Sequence, residues 1–323
     1  MNSLLASLLV ALSSAAQDPA VPNPVMAGAD PHAAVIDGRL WIYPTNHPPG
    51  DPKFFAFSSS DMRRWDRHGP VLSFSEIPWI KEDGEPNHYA WAPALAERNG
   101  TYYFYFSVGP QGRTPARIGV GSGKSPAGPF KDSGRPLLVG GNGFEAIDPM
   151  VFRDPKSGRY FLYAGGSAGA KLRIFELDDT MMRMQREIPV ETPPKFTEGA
   201  FVHYRKGVYY LTYSHGGWRT SGYSGHYATS ATPVGPWRYR GSFLTSSERH
   251  KGPGHHSVFR GPGEDEWYIA YHRWNDAQGD GPYQGSRQIA IDRLVHEHGT
   301  WLRSVQMTDS VPVFAPTPST PGK

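Results

Sequence analysis

One short pattern recurs five times along the 323 residues and constrains the fold more than any other feature: a turn followed at once by a strand dense in aromatics. The copies are DGRLWIY (37–43), NGTYYFYF (99–106), SGRYFLY (157–163), KGVYYLTY (206–213) and DEWYIAY (265–271). Aromatic runs bounded by turn residues are the mark of hairpin strands. A second marker follows each copy, at Trp65, Phe130, Met184, Trp237 and Trp301, in steps of 65, 54, 53 and 64 residues. Between the two markers lie shorter β runs: AFSSS, GVGSG, IFELD, YATSA and IAIDRL. Each unit has room for about four strands and none for a long helix, and such repeats are propeller blades. The 37 Gly and 31 Pro agree, because they break helices and multiply turns. The pattern predicts an all-β chain, a five-bladed β-propeller forming a single domain over residues 24–315.

The ends read differently. Residues 4–12 are almost wholly apolar and lead to small residues at Ser14 and Ala16. This predicts a signal peptide over 1–16, although its start carries no Lys or Arg, and hence a secreted or periplasmic protein. Residues 316–323, PTPSTPGK, read as a disordered tail. With 33 Lys+Arg against 30 Asp+Glu the net charge is +3, which argues against nucleic acid or another polyanion as partner. The apolar start is too short to span a membrane. The absence of cysteine excludes disulfides, thiolate metal sites and a Cys nucleophile. Chemistry must come from carboxylates, imidazoles and hydroxyls.

In a propeller the innermost strand of each blade starts near the central funnel. Reading back about ten residues from each hairpin turn gives GADPHA, AWAPAL, AIDPMV, FTEGAF and GHHSVF. Asp30, Trp91, Asp148, Glu198 and His255 stand there, eight, nine, ten, nine and ten residues ahead of their turns, and are read as equivalent positions. A single Asp-Pro is an ordinary turn; three acids at one repeat position are not. Three carboxylates in one funnel cannot all ionise freely, so at least one stays protonated near neutrality. A protonated acid beside an ionised one is the pair that glycosidic-bond cleavage requires. Asp148 and Glu198 fall in neighbouring blades, three and four, and should couple. Asp30, in blade one, lies across the cavity, which makes it the base and leaves the pair as acid and modulator. Trp91 offers a flat apolar face of the kind sugars stack on.

At these residues the chain resembles glycoside hydrolase family 43. GADP (28–31), WAP (91–93), IDPM (147–150), TEG (197–199) and GPGHHS (252–257) occur in the family's order, and the resemblance covers 23 to about 312. It implies a five-bladed propeller with Asp30 as general base, Glu198 as general acid and Asp148 tuning and orienting the acid. It implies single-displacement hydrolysis with inversion. His255 matches a central histidine beneath the sugar that in some members helps hold a Ca2+ ion or water cluster; His256 is adjacent, and strand alternation lets only one of the two face the funnel. Arg287 matches an arginine near the sugar hydroxyls. No cofactor is required, with Ca2+ at the funnel the one metal implied. The substrates implied are oligosaccharides or polysaccharides carrying terminal α-L-arabinofuranosyl or β-D-xylosyl units, with endo-arabinanases and galactanases as minorities. The inserts at 73–88 and 214–226 are expected to wall the pocket and favour exo action, with Trp218 on the leaving-group side. An inactive sugar-binding propeller, a retaining fructan-cleaving relative and a metallohydrolase are the competing readings; the last lacks any HExxH spacing.

Overall fold

The computed structural model describes residues 20–45 and 52–312. The expected signal peptide (1–16) and tail (316–323) lie outside the described residues, as do the last three positions of the expected propeller span.

Five antiparallel sheets follow one another along the chain. Blade I is built from Ala29–Ile36, Arg39–Thr45, Lys53–Ser59 and Asp66–Ser73. In blade II, Tyr89–Arg98, Thr101–Gly109 and Arg117–Gly123 pair in order, and the third strand takes two short partners, Lys131–Asp132 and Leu138–Val139. Blades III and IV are Met150–Arg153, Tyr160–Ala164, Arg173–Leu177, Met184–Ile188, and Glu198–Arg205, Val208–His215, Ser224–Ser230, Arg238–Leu244. This is the five-bladed propeller that the aromatic hairpins predict. Among the described residues helix is limited to two 3-10 turns, Phe74–Glu76 and Pro78–Asp83.

Blade V departs from the pattern. Its inner three strands are His250–Arg260, Trp267–Asn275 and Gln288–Arg293, but its outer strand is Met26–Ala27, from the start of the chain. Trp301, the fifth outer-strand marker, begins no strand and is half exposed. The ring is thus closed by hydrogen bonds between the two ends of the chain.

The aromatic second strands explain how blades stack. Tyr43, Tyr105 and Tyr163 are fully buried, and each hydroxyl donates to a carbonyl in the outer turn of the next blade. The acceptors are Pro126 (2.8 Å), Met181 (2.7 Å) and Pro233. Each ring fills the space between sheets while its polar tip satisfies a neighbouring backbone group. The insert at 73–88 is less a wall than a wedge: Phe74, Ile77, Trp79 and Ile80 are buried in the cluster shared by blades I and II.

Candidate active site

Each blade opens with the same irregularity. Pairing of the first two strands slips at Ala29/His32, Trp91/Ala94, Glu198/Phe201 and Gly254/His256, and in blade III Gly165 N–H donates to the Ile147 carbonyl just ahead of the first strand. The next residue takes a left-handed φ in all five: Asp30 (49°), Ala92 (38°), Asp148 (56°), Gly199 (64°) and His255 (33°). Such a bulge bends the strand and re-aims its side chains, and strained non-glycine residues of this kind gather at functional sites. The five candidates therefore do not share one position, as the offsets predict. Asp30, Asp148 and His255 occupy the left-handed position, whereas Trp91 and Glu198 stand one residue earlier. Counting to the hairpin turn misleads because turn length varies. From the left-handed residue the three tight turns at Gly38, Gly100 and Gly207 are each eight residues away.

The preceding blade fixes each of these residues. The amides of Ala92, Asp148, His255 and Asp30 donate to Thr45 Oγ1 (2.7 Å), Ser107 Oγ (2.9 Å), Ser214 Oγ (2.7 Å) and His272 Nδ1 (3.3 Å). All four acceptors sit opposite the first bulge residue on the second strand. In blade III that place falls to Gly165, which has no side chain to offer. The Asp148 carboxylate takes over, and Oδ2 accepts the Gly199 amide at 3.0 Å. Asp148 thus holds the backbone directly beside Glu198.

The bulges bring Asp30, Asp148, Glu198 and His255 together. His255 Nδ1 faces Asp30 Oδ1 at 3.5 Å and Asp148 Oδ2 at 3.4 Å. His256 points the other way, buried against Phe243, so His255 is the one that faces the funnel. Asp30 is not isolated. Arg287 Nη1 donates to Oδ1 at 2.9 Å, Thr45 Oγ1 donates to Oδ2 at 2.7 Å, and His272 Nδ1 lies 3.1 Å from Oδ1. Glu198 accepts from Tyr223 at Oε1 (2.7 Å) and from Ser167 at Oε2 (2.8 Å).

These surroundings separate the carboxylates. Burial alone would push Asp30 up, but the Arg287 guanidinium is the largest influence against it, and Asp30 is held well below the usual carboxylate range. Burial drives both imidazoles down, His272 to about 3, so both are neutral near neutrality and Arg287 is the standing cation on Asp30. Asp148 goes the opposite way: burial, then the charges of Glu198 and Asp30, push it well above the usual range. Glu145, buried nearby, is also raised by burial and by Glu198. The site sets a carboxylate held low by a guanidinium, Asp30, against a buried carboxyl pushed up beside Glu198, Asp148, with His255 between the two.

At the rim, Trp91 stacks on the exposed Tyr89, centroids 5.6 Å apart at 10°. Trp218 is 41% exposed, stacks on Trp274 at 6.3 Å and 11°, and carries the Arg287 guanidinium 4.4 Å above its ring. Arg287 therefore joins Trp218 to Asp30. Arg117 and Arg173, which the repeat makes comparable to Arg287, serve the scaffold instead: one holds the 79–83 turn, the other pairs with Glu187. Direct Ca2+ ligation finds a poor donor set here. That ion takes six to eight oxygens, while the oxygens of Asp30 and Asp148 facing His255 already accept from Arg287 and Gly199. Among the described residues no three His, Asp or Glu side chains cluster around a cation position.

Sequence reasoning misses Thr45, Ser107, Ser214, His272, Tyr223 and Ser167. Four of these carry a signal, since a hydroxyl or imidazole ends the aromatic run in YPT, YFS, TYS and YH. Tyr223 and Ser167 come from irregular segments and carry none.

Residues 21–302 match the profile of Glycosyl hydrolases family 43. This chain belongs to that family. It is a glycoside hydrolase. It is 35% identical over 309 residues to a β-D-galactofuranosidase of Aspergillus niger, covering 88% of this chain and 85% of the relative. A xylosidase/arabinosidase of Bacteroides ovatus is 27% identical, with 90% and 92% covered. Among solved structures, a family 43 β-xylosidase/α-arabinofuranosidase from a compost microbial metagenome, in complex with xylotriose, is similar at 27% identity. Its TM-score is 0.70, over 88% of this chain and 96% of that one.

Proposed function

We propose that this family 43 hydrolase is an exported, exo-acting enzyme that removes terminal α-L-arabinofuranosyl or β-D-xylosyl units from plant polysaccharides or oligosaccharides, with inversion and with no cofactor. The observation that carries the reading is the contrast between Asp30, paired with Arg287 and held low, and Asp148, buried beside Glu198 and pushed up. Asp30 takes a proton from the water that attacks the anomeric carbon. Glu198 gives its proton to the departing oxygen as the carbon–oxygen bond breaks. Asp148 holds Glu198 in place through the Gly199 amide and couples to it by charge. Trp91 and Trp218 are apolar platforms on either side, with Trp218 toward the leaving group.

The relatives named for arabinose and xylose support the sugar assignment. The Aspergillus niger relative favours a second reading, β-D-galactofuranoside cleavage. That sugar presents the same furanose ring as α-L-arabinofuranose, with one carbon more on its exocyclic arm. Aryl α-L-arabinofuranosides, β-D-xylosides and β-D-galactofuranosides, assayed side by side, distinguish these. Asp30→Ala and Glu198→Ala should each cost about 10²–10⁴-fold in turnover. Aryl leaving groups that need no proton should partly restore Glu198→Ala alone, and the first-formed anomer by NMR should be inverted. Restoration of Asp30→Ala instead, or a retained anomer, would overturn the mechanism.

A further inference from the structure

Tyr223 lies in the segment between the second and third strands of blade IV and is fully buried. Its hydroxyl donates to Glu198 Oε1 at 2.7 Å. Its ring lies flat on His272, centroids 5.5 Å apart and only 6° from parallel, and His272 braces Asp30. One side chain thus touches Glu198 directly and Asp30 through a single imidazole.

The direction of its hydrogen bond follows from the phenol. Burial and the nearby carboxylates hold that hydroxyl well above the ordinary tyrosine range, so it keeps its hydrogen. That one hydrogen goes to Glu198 Oε1, the acceptor at 2.7 Å. Ser167, at Oε2, is a hydroxyl that can accept as readily as it donates.

We propose that Tyr223 is a positioning residue for proton donation: it reserves Oε1 of Glu198 as an acceptor, so that the transferable proton sits on Oε2 beside Ser167. This rests on Glu198 being the general acid. As Glu198 gives up its proton, the Tyr223 bond changes from neutral to charge-assisted and becomes stronger. A bond that strengthens along the reaction raises turnover and not merely affinity.

Tyr223→Phe removes the hydroxyl and keeps the ring over His272. For substrates with poor leaving groups kcat should fall about tenfold at nearly constant KM, a change of about 1.4 kcal/mol in the barrier. Activated aryl leaving groups should lose little. The alkaline limb of the kcat/KM profile should move to higher pH, because a donor to the ionised carboxyl is gone. An equal loss for all leaving groups, or an unmoved limb, would overturn the proposal. Site-specific 3-fluorotyrosine at 223, a stronger donor in the native shape, should move the limb to lower pH; no movement would equally overturn it, even if the Phe variant fails to fold. If Glu198→Ala itself shows no leaving-group dependence, the acid assignment fails. If Glu198→Ala shows it and Tyr223→Phe does not, only the role of Tyr223 fails.

Discussion

Asp148 is pulled in two directions. Burial and the neighbouring charges of Glu198, Asp30 and Glu145 favour its neutral form, while the Gly199 amide favours the carboxylate. Asp148→Asn keeps an oxygen for that amide and removes the charge. In the native pair the last proton leaves against a negative neighbour, and so leaves late; with Asn it leaves without that opposition. The alkaline limb of kcat/KM should therefore fall to lower pH. Stability should respond with the opposite sense. A carboxyl whose folded-state pKa is raised costs stability as pH climbs above its unfolded value of about 4. Asp148→Asn should thus melt above the native protein at pH 8, with the gap closing as pH is lowered toward 4; a gap independent of pH would show that Asp148 ionises without cost. At this scale the acids, Trp91, His255 and Arg287 are legible in the sequence because each sits in a short motif. The one-residue stagger of Trp91 and Glu198 is not. It is a property of backbone φ, visible only in that three turn offsets become equal once the count starts at Asp30, Ala92 and Gly199.

At the scale of elements, the bulges and the residues opposite them form a ring in which each blade fixes the next. Ser107 belongs to blade II, yet its hydroxyl accepts the amide of Asp148 in blade III. Ser107→Ala leaves that buried amide unpaired, at a cost of about 1–3 kcal/mol. The urea midpoint should drop accordingly, and turnover should fall with it because Asp148 is no longer pinned. A loss of stability at full activity would show that the ring supports the fold and not the site. The gap at Gly165 cannot be filled by a serine. Its φ is +133°, and a Cβ there would lie 1.9 Å from the Lys171 carbonyl oxygen. The glycine excludes the hydroxyl, and Asp148 does its work. The aromatic hairpins announce the blades, and Thr45, Ser107, Ser214 and His272 each close one of those aromatic runs, but their side chains differ from blade to blade, which is why reasoning from repeated residue types passes over them.

At the scale of the whole molecule, the five blades are legible and their closure is not, because Met26–Ala27 carries no aromatic marker. The closing segment reaches the site all the same. Gly28 N–H donates to the carbonyl of Arg287 at 3.0 Å, and two residues later Asp30 meets the Arg287 side chain. Ahead of it the Asn23 side chain donates to the Ile291 carbonyl and accepts the Ile291 amide, while Arg273 donates to the Asn23 carbonyl. A chain beginning at Ala29 leaves these buried partners unpaired, at about 1–3 kcal/mol each, and should unfold at clearly lower urea. A synthetic peptide spanning residues 20–28 should restore part of the loss in a concentration-dependent way, since it binds only the folded ring. Activity carries a separate signature. With Arg287 no longer anchored beside it, Asp30 loses the charge that opposes its burial, so its pKa rises and the acidic limb of kcat/KM moves to higher pH. If the shortened chain shows the native acidic limb, the ends of the chain close the ring without helping to set the base.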